Sequence, residues 1–468
     1  MTDRLDTPAR DSSSFRDPAG YIFWHHGEIY RQVNKFGQAD FDRFIDSGLY
    51  QQLVELGLIV AHQEVELKDL PIDPQRYKVI KPEMIPFVSY PYEWCFSQLK
   101  EAARLTLKIQ KLALDHGLIL KDASAYNIQF IGPRPVMIDS LSFRIYQEGA
   151  PWDGYRQFCE HFIAPLAVTS LVSADFLKNL RSHLDGLSLD TATSLLPRRA
   201  KLRRGLAAHV YLHAASRRRY DSAKKDSSST RKVSSLAMNG LLHSLSRTVE
   251  KLKAPQSASQ WRDYYKDTNY SQKAFSAKQK IVNNLLGSIG RELKMVWDLG
   301  ANDGTFSQIA ADYSSCVVAF DIDHQAVEKN FHSFGAQNRK LKILPLCQDL
   351  TNPSSSLGWN QNERPGLKER GPADVILALA LIHHLSIGNN LSLQQIAEYF
   401  CQLAQYAIIE FIPKSDSRAK ILLRRRANLF EHYSQSDFEK EFGRLFKILK
   451  KLPVPASQRV IYLLERKK

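Results

Sequence analysis

Cysteine is scarce in this chain. Cys95, Cys159, Cys316, Cys347 and Cys401 are scattered, odd in number and form no CxxC pair. That argues against a disulfide framework and against a zinc site, and fits buried thiols in a reducing cytoplasm. Long apolar runs are missing too. Val375 to Ile382 is among the longest, far short of the roughly 20 residues that span a bilayer. The opening MTDRLDTPARDSSSFRDPAG mixes charge signs and has no apolar core, so residues 1–14 read as a flexible lead-in and not a secretory signal. Acidic residues are outnumbered, 49 against 64 Lys and Arg, giving a net charge of +15. Such a balance suits nucleic acid, an anionic polymer or a membrane surface. Much of the excess is local, in LPRRAKLRRG (196–205), SRRRYDSAKK (216–225) and TRK (230–232). No interleaved aromatics or known nucleic-acid module accompany it. A solvated face with a linker is therefore the favoured reading, and nucleic acid is a second-choice partner.

What is present is length and alternation. The 468 residues favour two or three domains, and no internal repeat is visible. Residues 15–215 mix short β-like pieces (YKVIKP, 77–82) with a long helical pattern in SQLKEAARLTLKIQKLALDHG. There Leu99, Ala102, Ala103, Ile109, Leu112 and Ala113 recur at helical spacing and Gly117 stops the helix. Two apolar runs, NIQFI and VMID, flank a GPRP turn, and YRQFCEHFIAPLAVTSLV is again helical. Residues 216–260, rich in Ser, Lys and Arg, read as a linker with some helix from Val233 to Leu252. From 261 to 468 strand and helix patterns alternate, which predicts an α/β doubly wound parallel sheet.

The segment KMVWDLGANDGTFSQIAADY (294–313) predicts a strand, a glycine-bearing turn and a helix. Gly300 and Gly304 allow a tight turn and close approach of a ligand, and Asp303 or Thr305 is placed to cap the helix. CVVAFDID (316–323) predicts a buried strand ending in Asp321, twenty-one residues after Gly300, where a carboxylate can accept from both hydroxyls of a ribose. A dinucleotide and S-adenosylmethionine both fit this plan. The dinucleotide turn needs G-x-G-x-x-G to seat a pyrophosphate. Here the pattern is D-x-G-x-N-x-G, with Asn302 in the middle and no third glycine in register.

Residues 261–468 resemble class I S-adenosylmethionine-dependent methyltransferases, with a Rossmann-like sheet closed by an antiparallel hairpin. The resemblance implies that Asp298, Gly300, Asn302 and Gly304 face the methionine part of the donor. Asp321 would hold the ribose, Ile322 would pack on the adenine, and Asp349 with Leu350 would meet its amino edge. DVILALALIHHL (374–385) matches the fourth strand and its catalytic loop, YAIIEF (406–411) the fifth strand, and LFKILKKLPVP with RVIYLLERKK the closing hairpin. Asn302 stands where the family often has Gly; Asn tolerates positive φ better than most residues. For the acceptor, His383 and His384 are candidates either for a general base acting on a hydroxyl or for structural loop residues, and Glu410 either orients the substrate or bonds the backbone. The (D/N/S)PP(Y/F) signature of many amide and adenine N-methyltransferases is absent. An Arg-rich, aromatic helix over 418–442, with Arg424, Arg425 and Arg426, is expected before the hairpin, placed either to read an anionic acceptor or to cover the sheet edge.

Upstream, Asp122, Asn127 and Asp139 follow one another at nearly the spacing with which kinase-like folds hold an acceptor hydroxyl and magnesium. Residues 15–215 loosely resemble the kinase and aminoglycoside-phosphotransferase superfamily. That implies Mg-ATP, Asp122 as catalytic residue, Asn127 and Asp139 as metal ligands, and Lys78 or Lys81 on the phosphates. Three departures stand against it. No glycine-rich loop precedes the motif, Ser140-Leu141 replaces Phe-Gly, and Leu120-Lys121 replaces His-Arg. The alternative for this α+β domain is acceptor recognition. The whole architecture, with SYPYEWCFSQL, LKDASAYNIQF, YRQFCEHF and LFEHYSQSDF, also resembles a family of bacterial two-part methyltransferases, some members of which carry a nodulation-protein name. The expectation is thus a cytoplasmic methyltransferase acting on a small-molecule or glycan hydroxyl. An RNA methyltransferase using the basic linker, or a bifunctional kinase–methyltransferase, is the alternative.

Overall fold

Strand and helix propensities along the chain resolve, in the computed structural model, into two separate units. Residues 8–222, 232–255, 272–336, 342–423 and 433–467 are described. By internal contacts the first unit comprises Met1–Phe130, Pro135–Ser257 and Leu357–Arg364, and the second Ile131–Arg134, Ala258–Ser356 and Pro365–Lys468.

In the first unit a five-stranded antiparallel sheet is built from β1 (Ala9–Arg10), β2 (Gly20–His25), β3 (Glu28–Asn34), β4 (His62–Glu64) and β5 (Arg76–Pro82). Its order is β1-β2-β3-β5-β4. Residues 9 and 10, expected in a flexible lead-in, pair with Trp24 and Phe23 of β2; residues 1–7 lie outside those described. Helices α1 (Gln38–Asp46) and α2 (Leu49–Glu55) connect β3 to β4. The long helix α3 (Phe96–Asp115) buries Leu99, Ala102, Ala103, Ile109 and Ala113 on one face, as their spacing predicts. It stops two residues before Gly117, which takes φ +74°. Short strands β6 (Leu118–Leu120), β7 (Ile128–Ile131), β8 (Arg134–Met137) and β9 (Phe143–Ile145) then pair β6 with β9 and β7 with β8 across the GPRP turn. Helical segments fill 155–222. The helix foreseen after Val233 is α4 (Ser235–Lys251). It packs on α3, where Lys100 Nζ donates to the carbonyls of Glu250 and Leu252, both at 3.0 Å.

The second unit carries α5 (Gln272–Gly287), β10 (Leu293–Leu299), α6 (Thr305–Ala310), β11 (Ser314–Asp321), α7 (His324–Ala336), β12 (Ile343–Cys347), β13 (Ala373–Ala378), α8 (Leu393–Leu403), β14 (Ala404–Phe411), α9 (Ser417–Leu423), α10 (Gln435–Leu445), β15 (Phe446–Pro453) and β16 (Val460–Arg466). The seven strands run in the order β12-β11-β10-β13-β14-β16-β15. The first five are parallel and the last two form an antiparallel hairpin against β14. This is the mixed sheet with a closing hairpin that the resemblance implies. Helices on both faces explain why β12 is buried at every position and reads as a continuous apolar run rather than an alternation. One face packs Val317, Ala319, Val375, Leu377, Ile461 and Leu463 against Val282, Leu285 and Leu286 of α5. Within 418–442 the described residues do not form one helix: they comprise α9, the non-helical Tyr433 and Ser434, and α10. The Phe438 ring of α10 lies tilted against those of Tyr462 at 4.9 Å and Phe411 at 5.4 Å, so this helix covers the sheet near its hairpin edge. Arg424, Arg425 and Arg426 lie outside the described residues. All five cysteines are free thiols, four of them buried. No helix among the described residues is long and apolar enough to cross a membrane.

Candidate functional site

Sheet order fixes where a ligand goes. From β10 the chain first steps to β11 and β12, then crosses back to β13 on β10's other side. In an open α/β sheet the carboxyl ends of the strands at such a reversal leave a crevice. A cavity of about 310 Å³ lies there, lined by residues that follow four strands. Gly300 and Asn302 come after β10, Asp321 and Ile322 from the end of β11, Gln348–Thr351 after β12, and Leu379–Leu381, His384, Leu385, Gly388 and Asn389 after β13. Leu422 of α9 completes the wall.

The turn after β10 is built for close approach. Gly300 takes φ +78° and Asn302 φ +48°, so Asn302 uses the left-handed freedom that its side chain allows. Asp303 Oδ1 accepts from Thr305 N at 3.1 Å and from Thr305 Oγ1 at 2.8 Å, which satisfies a donor at the start of α6. Asp321 Oδ2 accepts from Asn302 N at 2.8 Å, and Oδ1 from Asp323 N at 2.9 Å. The carboxylate is thereby held across the turn with lone pairs still available. Burial pushes its pKa up to about 6, against the pull of these backbone donors. Ile322, by contrast, is 44% exposed, an apolar side chain on the cavity wall without cover.

Not every foreseen residue reaches the cavity. Gly300, Asn302, Asp321, Ile322, Asp349, Leu350 and His384 line it. Asp298 and Gly304 stand behind it. Asp298 is buried and accepts from Ser307 Oγ at 2.6 Å, and burial pushes its pKa up to about 7. A Cβ on Gly304 would come within 2.4 Å of Phe334, and its φ is +74°, so this glycine serves the packing of α6 on α7. His383 is fully buried, its ring centroid 4.1 Å from that of His384. Of the two imidazoles, His384 is the one on the cavity.

Glu410 is likewise fully buried off the cavity. Its carboxylate accepts from Lys278 Nζ at 2.6 Å and from Arg459 Nη1 at 3.4 Å, and Arg459 Nε reaches Asp416 at 2.8 Å. Lys278 has no exposed side-chain surface and lies over the ring of Phe306 at 4.8 Å. Burial drives its pKa below the usual lysine value, although Glu410 opposes this.

In the first unit Asp122, Asn127 and Asp139 do come together. Asp122 accepts from Ser124 N at 2.9 Å and from the side chains of Asn127 and Gln157. Asn127 Nδ2 donates to Ser142 Oγ at 3.1 Å, which donates to Asp139 Oδ2 at 2.5 Å. Burial first, and then the charge of Asp139, raise the pKa of Asp122. Burial acts upward on Asp139 too, but Arg31 and its hydrogen-bond donors outweigh it and the net shift is downward. Arg31, on β3, sets its Nη1 2.6 Å from Asp139 Oδ1. The lysines chosen from the sequence are engaged elsewhere on β5, Lys78 with Glu64 at 2.8 Å and Lys81 with Glu28 at 2.6 Å.

Sequence reasoning placed a catalytic loop within 374–385 without singling out Leu379–Leu381 or Leu385, and missed Gln348, Thr351, Gly388, Asn389 and Leu422. The one signal was positional, since 379–385 follow a strand that ends at the crevice. Ala380 holds φ +52°, a costly conformation for a residue with a Cβ and one that concentrates at functional loops. Of the basic stretches, Arg198, Arg199, Lys201, Arg203 and Arg204 are exposed, whereas 223–231 lie outside the described residues.

No family model matches the chain. Nodulation protein NoeA of Rhizobium meliloti (strain 1021) is 32% identical over 466 residues, spanning 98% of this chain and 96% of that protein. Among solved structures, magnesium protoporphyrin IX methyltransferase (ChlM) from Synechocystis PCC 6803, with bound SAH, aligns at 17% identity and a TM-score of 0.32. It covers 44% of this chain and 93% of its own. N-methyltransferase NodS from Bradyrhizobium japonicum WM9 aligns at 9% identity and a TM-score of 0.31, covering 42% and 99%.

Proposed function

The chain belongs to the family of nodulation protein NoeA, and from its own geometry we propose that it transfers a methyl group from S-adenosylmethionine to a hydroxyl of a small molecule or glycan. The observation that carries this reading is the pairing, on one cavity wall, of a buried carboxylate at the end of β11 with an uncovered apolar neighbour, Asp321 and Ile322. A ribose needs the first and an adenine face the second. Gly300, where an added Cβ would meet only Leu381 at 3.4 Å, leaves room for the rest of the donor. When bound, the donor supplies a methyl group on a sulfonium, already activated for in-line displacement. Asp321 accepts the ribose hydroxyls. Asp349 and Leu350 border the adenine edge. His384 takes the proton that the acceptor oxygen loses, and the loop 379–389 positions that oxygen.

Asp321 makes the reading testable by pH. Its carboxyl is raised to about 6, and only the ionised form accepts from both hydroxyls. Affinity for S-adenosylhomocysteine therefore rises as pH climbs through about 6 and levels off above it. Calorimetry at pH 5 should show binding about tenfold weaker than at pH 7.5. The Asp321→Asn variant should show a flat profile; a flat wild-type profile would contradict the ribose role. The stability term has the opposite sign. A carboxyl with a folded pKa above its unfolded value holds more protons folded than unfolded between the two. Asp298 and Asp321 thus cost stability increasingly as pH rises from about 4 to about 7.

For the first unit, acceptor recognition is the reading we favour over phosphoryl transfer. Arg31 already neutralises Asp139, and a magnesium ion would have to displace a buried guanidinium. No saturable binding of Mg-ATP to the full chain is expected by calorimetry. Saturable binding that disappears in Asp139→Ala would overturn this and restore a nucleotide site.

A further inference from the structure

The β2–β3 hairpin holds a second cluster of chemically capable side chains. His25 pairs with Glu28, so His26 and Gly27 form a two-residue turn, at φ +49° and +77°. Both central residues of such a turn need positive φ, and Asn-Gly or Asp-Gly is its usual sequence. A histidine in the first place is unusual. Neighbouring side chains on a strand point to opposite faces, but the turn swings His26 round. The two imidazole centroids come within 4.0 Å. Both rings aim Nε2 at one oxygen, Asp69 Oδ2, at 2.8 Å from His25 and 3.0 Å from His26. All three candidate ligand atoms lie within 4.8 Å of one another. The His25 ring is buried, and its Nδ1 has no partner among the described residues. Its orientation is therefore set by what Nε2 meets. The side chains of His26 and Asp69 are 53% and 56% exposed, so the cluster opens to water on one side.

We propose that His25, His26 and Asp69 form a binding site for a late first-row divalent metal ion, with Zn²⁺ as the type ion and water in the fourth position. Two imidazoles and a carboxylate suit zinc, nickel or copper and not magnesium or calcium, which prefer all-oxygen shells. Bonds of about 2.0–2.2 Å in tetrahedral array require the ligand atoms to part slightly from their present spacing, a small rotation for two half-exposed side chains. The scattered cysteines speak only against a thiolate zinc site; the donors here are two imidazole nitrogens and a carboxylate oxygen. The ion would fasten the hairpin to the loop between β4 and β5.

The test is a calorimetric titration of the untagged, chelator-stripped full chain with ZnCl₂, beside His26→Asn and Asp69→Asn. Asn tolerates left-handed φ, so His26→Asn keeps the turn and removes only the ligand. The expected result is a 1:1 site in the wild type that weakens at least tenfold in both variants, with no matching response to MgCl₂. Co²⁺ should give a visible ligand-field band that His26→Asn loses. Binding of equal stoichiometry and affinity in all three proteins, or no zinc binding by the wild type, would overturn the proposal.

Discussion

Asp321→Ala is expected to weaken binding of S-adenosylhomocysteine to the full chain by roughly ten- to a hundredfold. Hydrogen bonds to a charged acceptor are worth about 1.5–3 kcal/mol, and the variant removes the only carboxylate at the end of β11 that lines the cavity. The loss should come without unfolding. The backbone donors that Asp321 now satisfies, those of Asn302, Ile322 and Asp323, belong to partly or fully exposed residues, which water can reach. Gly300→Val should lower affinity by another route. Its φ of +78° is strained for a β-branched residue, and the side chain would stand on the cavity wall. Unchanged affinity in either variant, measured by calorimetry at pH 7.5, would contradict the assignment of the site.

Glu410→Ala is expected to be the most destabilising of the changes considered. Glu410, Lys278 and Arg459 are all buried, and their charges compensate one another at 2.6 and 3.4 Å. Removing the carboxylate takes away the counter-charge of the buried Lys278 ammonium, while Arg459 keeps Asp416 at 2.8 Å, and breaking a buried pair this way costs about 3–5 kcal/mol. Replacing both partners of the tight pair, as in Lys278→Met with Glu410→Leu, should recover much of that loss, because the stranded charge goes with its partner. Urea unfolding followed by tryptophan fluorescence compares the variants. A loss under about 1 kcal/mol in Glu410→Ala would mean that water reaches the pair. The double variant also separates scaffold from chemistry. If Glu410 orients substrate, donor binding survives and methyl transfer does not; if it is scaffold, as its burial indicates, both survive.

The strand, glycine turn and helix of 294–313 were legible in the sequence because a local apolar run, two glycines and a cap residue each speak for the same structure. Asp321 was legible from its distance along the chain and its place at the end of a buried run. Every strand expected from 261 onward is present, including the hairpin of β15 and β16. What could not be read was tertiary. Lys278 and Glu410 are 132 residues apart, and nothing local marks either as the other's counter-charge. His383 and His384 are neighbours in sequence, yet one is fully buried and the other lines the cavity; only the turn after β13 decides between them. Lys78 or Lys81 of YKVIKP was expected on the phosphates, and nothing local marked Arg31 of β3, 108 residues earlier, as the cation on Asp139. Gln348 reaches the cavity from the loop after β12 and Leu422 from helix α9, which no spacing rule anticipates.

The crevice at the carboxyl ends of β10, β11 and β13 is where we place the methyl donor. A structure of the full chain determined with S-adenosylhomocysteine tests it most directly. The ribose hydroxyls are expected within hydrogen-bond distance of the Asp321 carboxylate, the adenine face against Ile322, and the sulfur on the side of His384. Ligand found elsewhere on the chain, or no ligand in the crevice at saturating concentration, would contradict it.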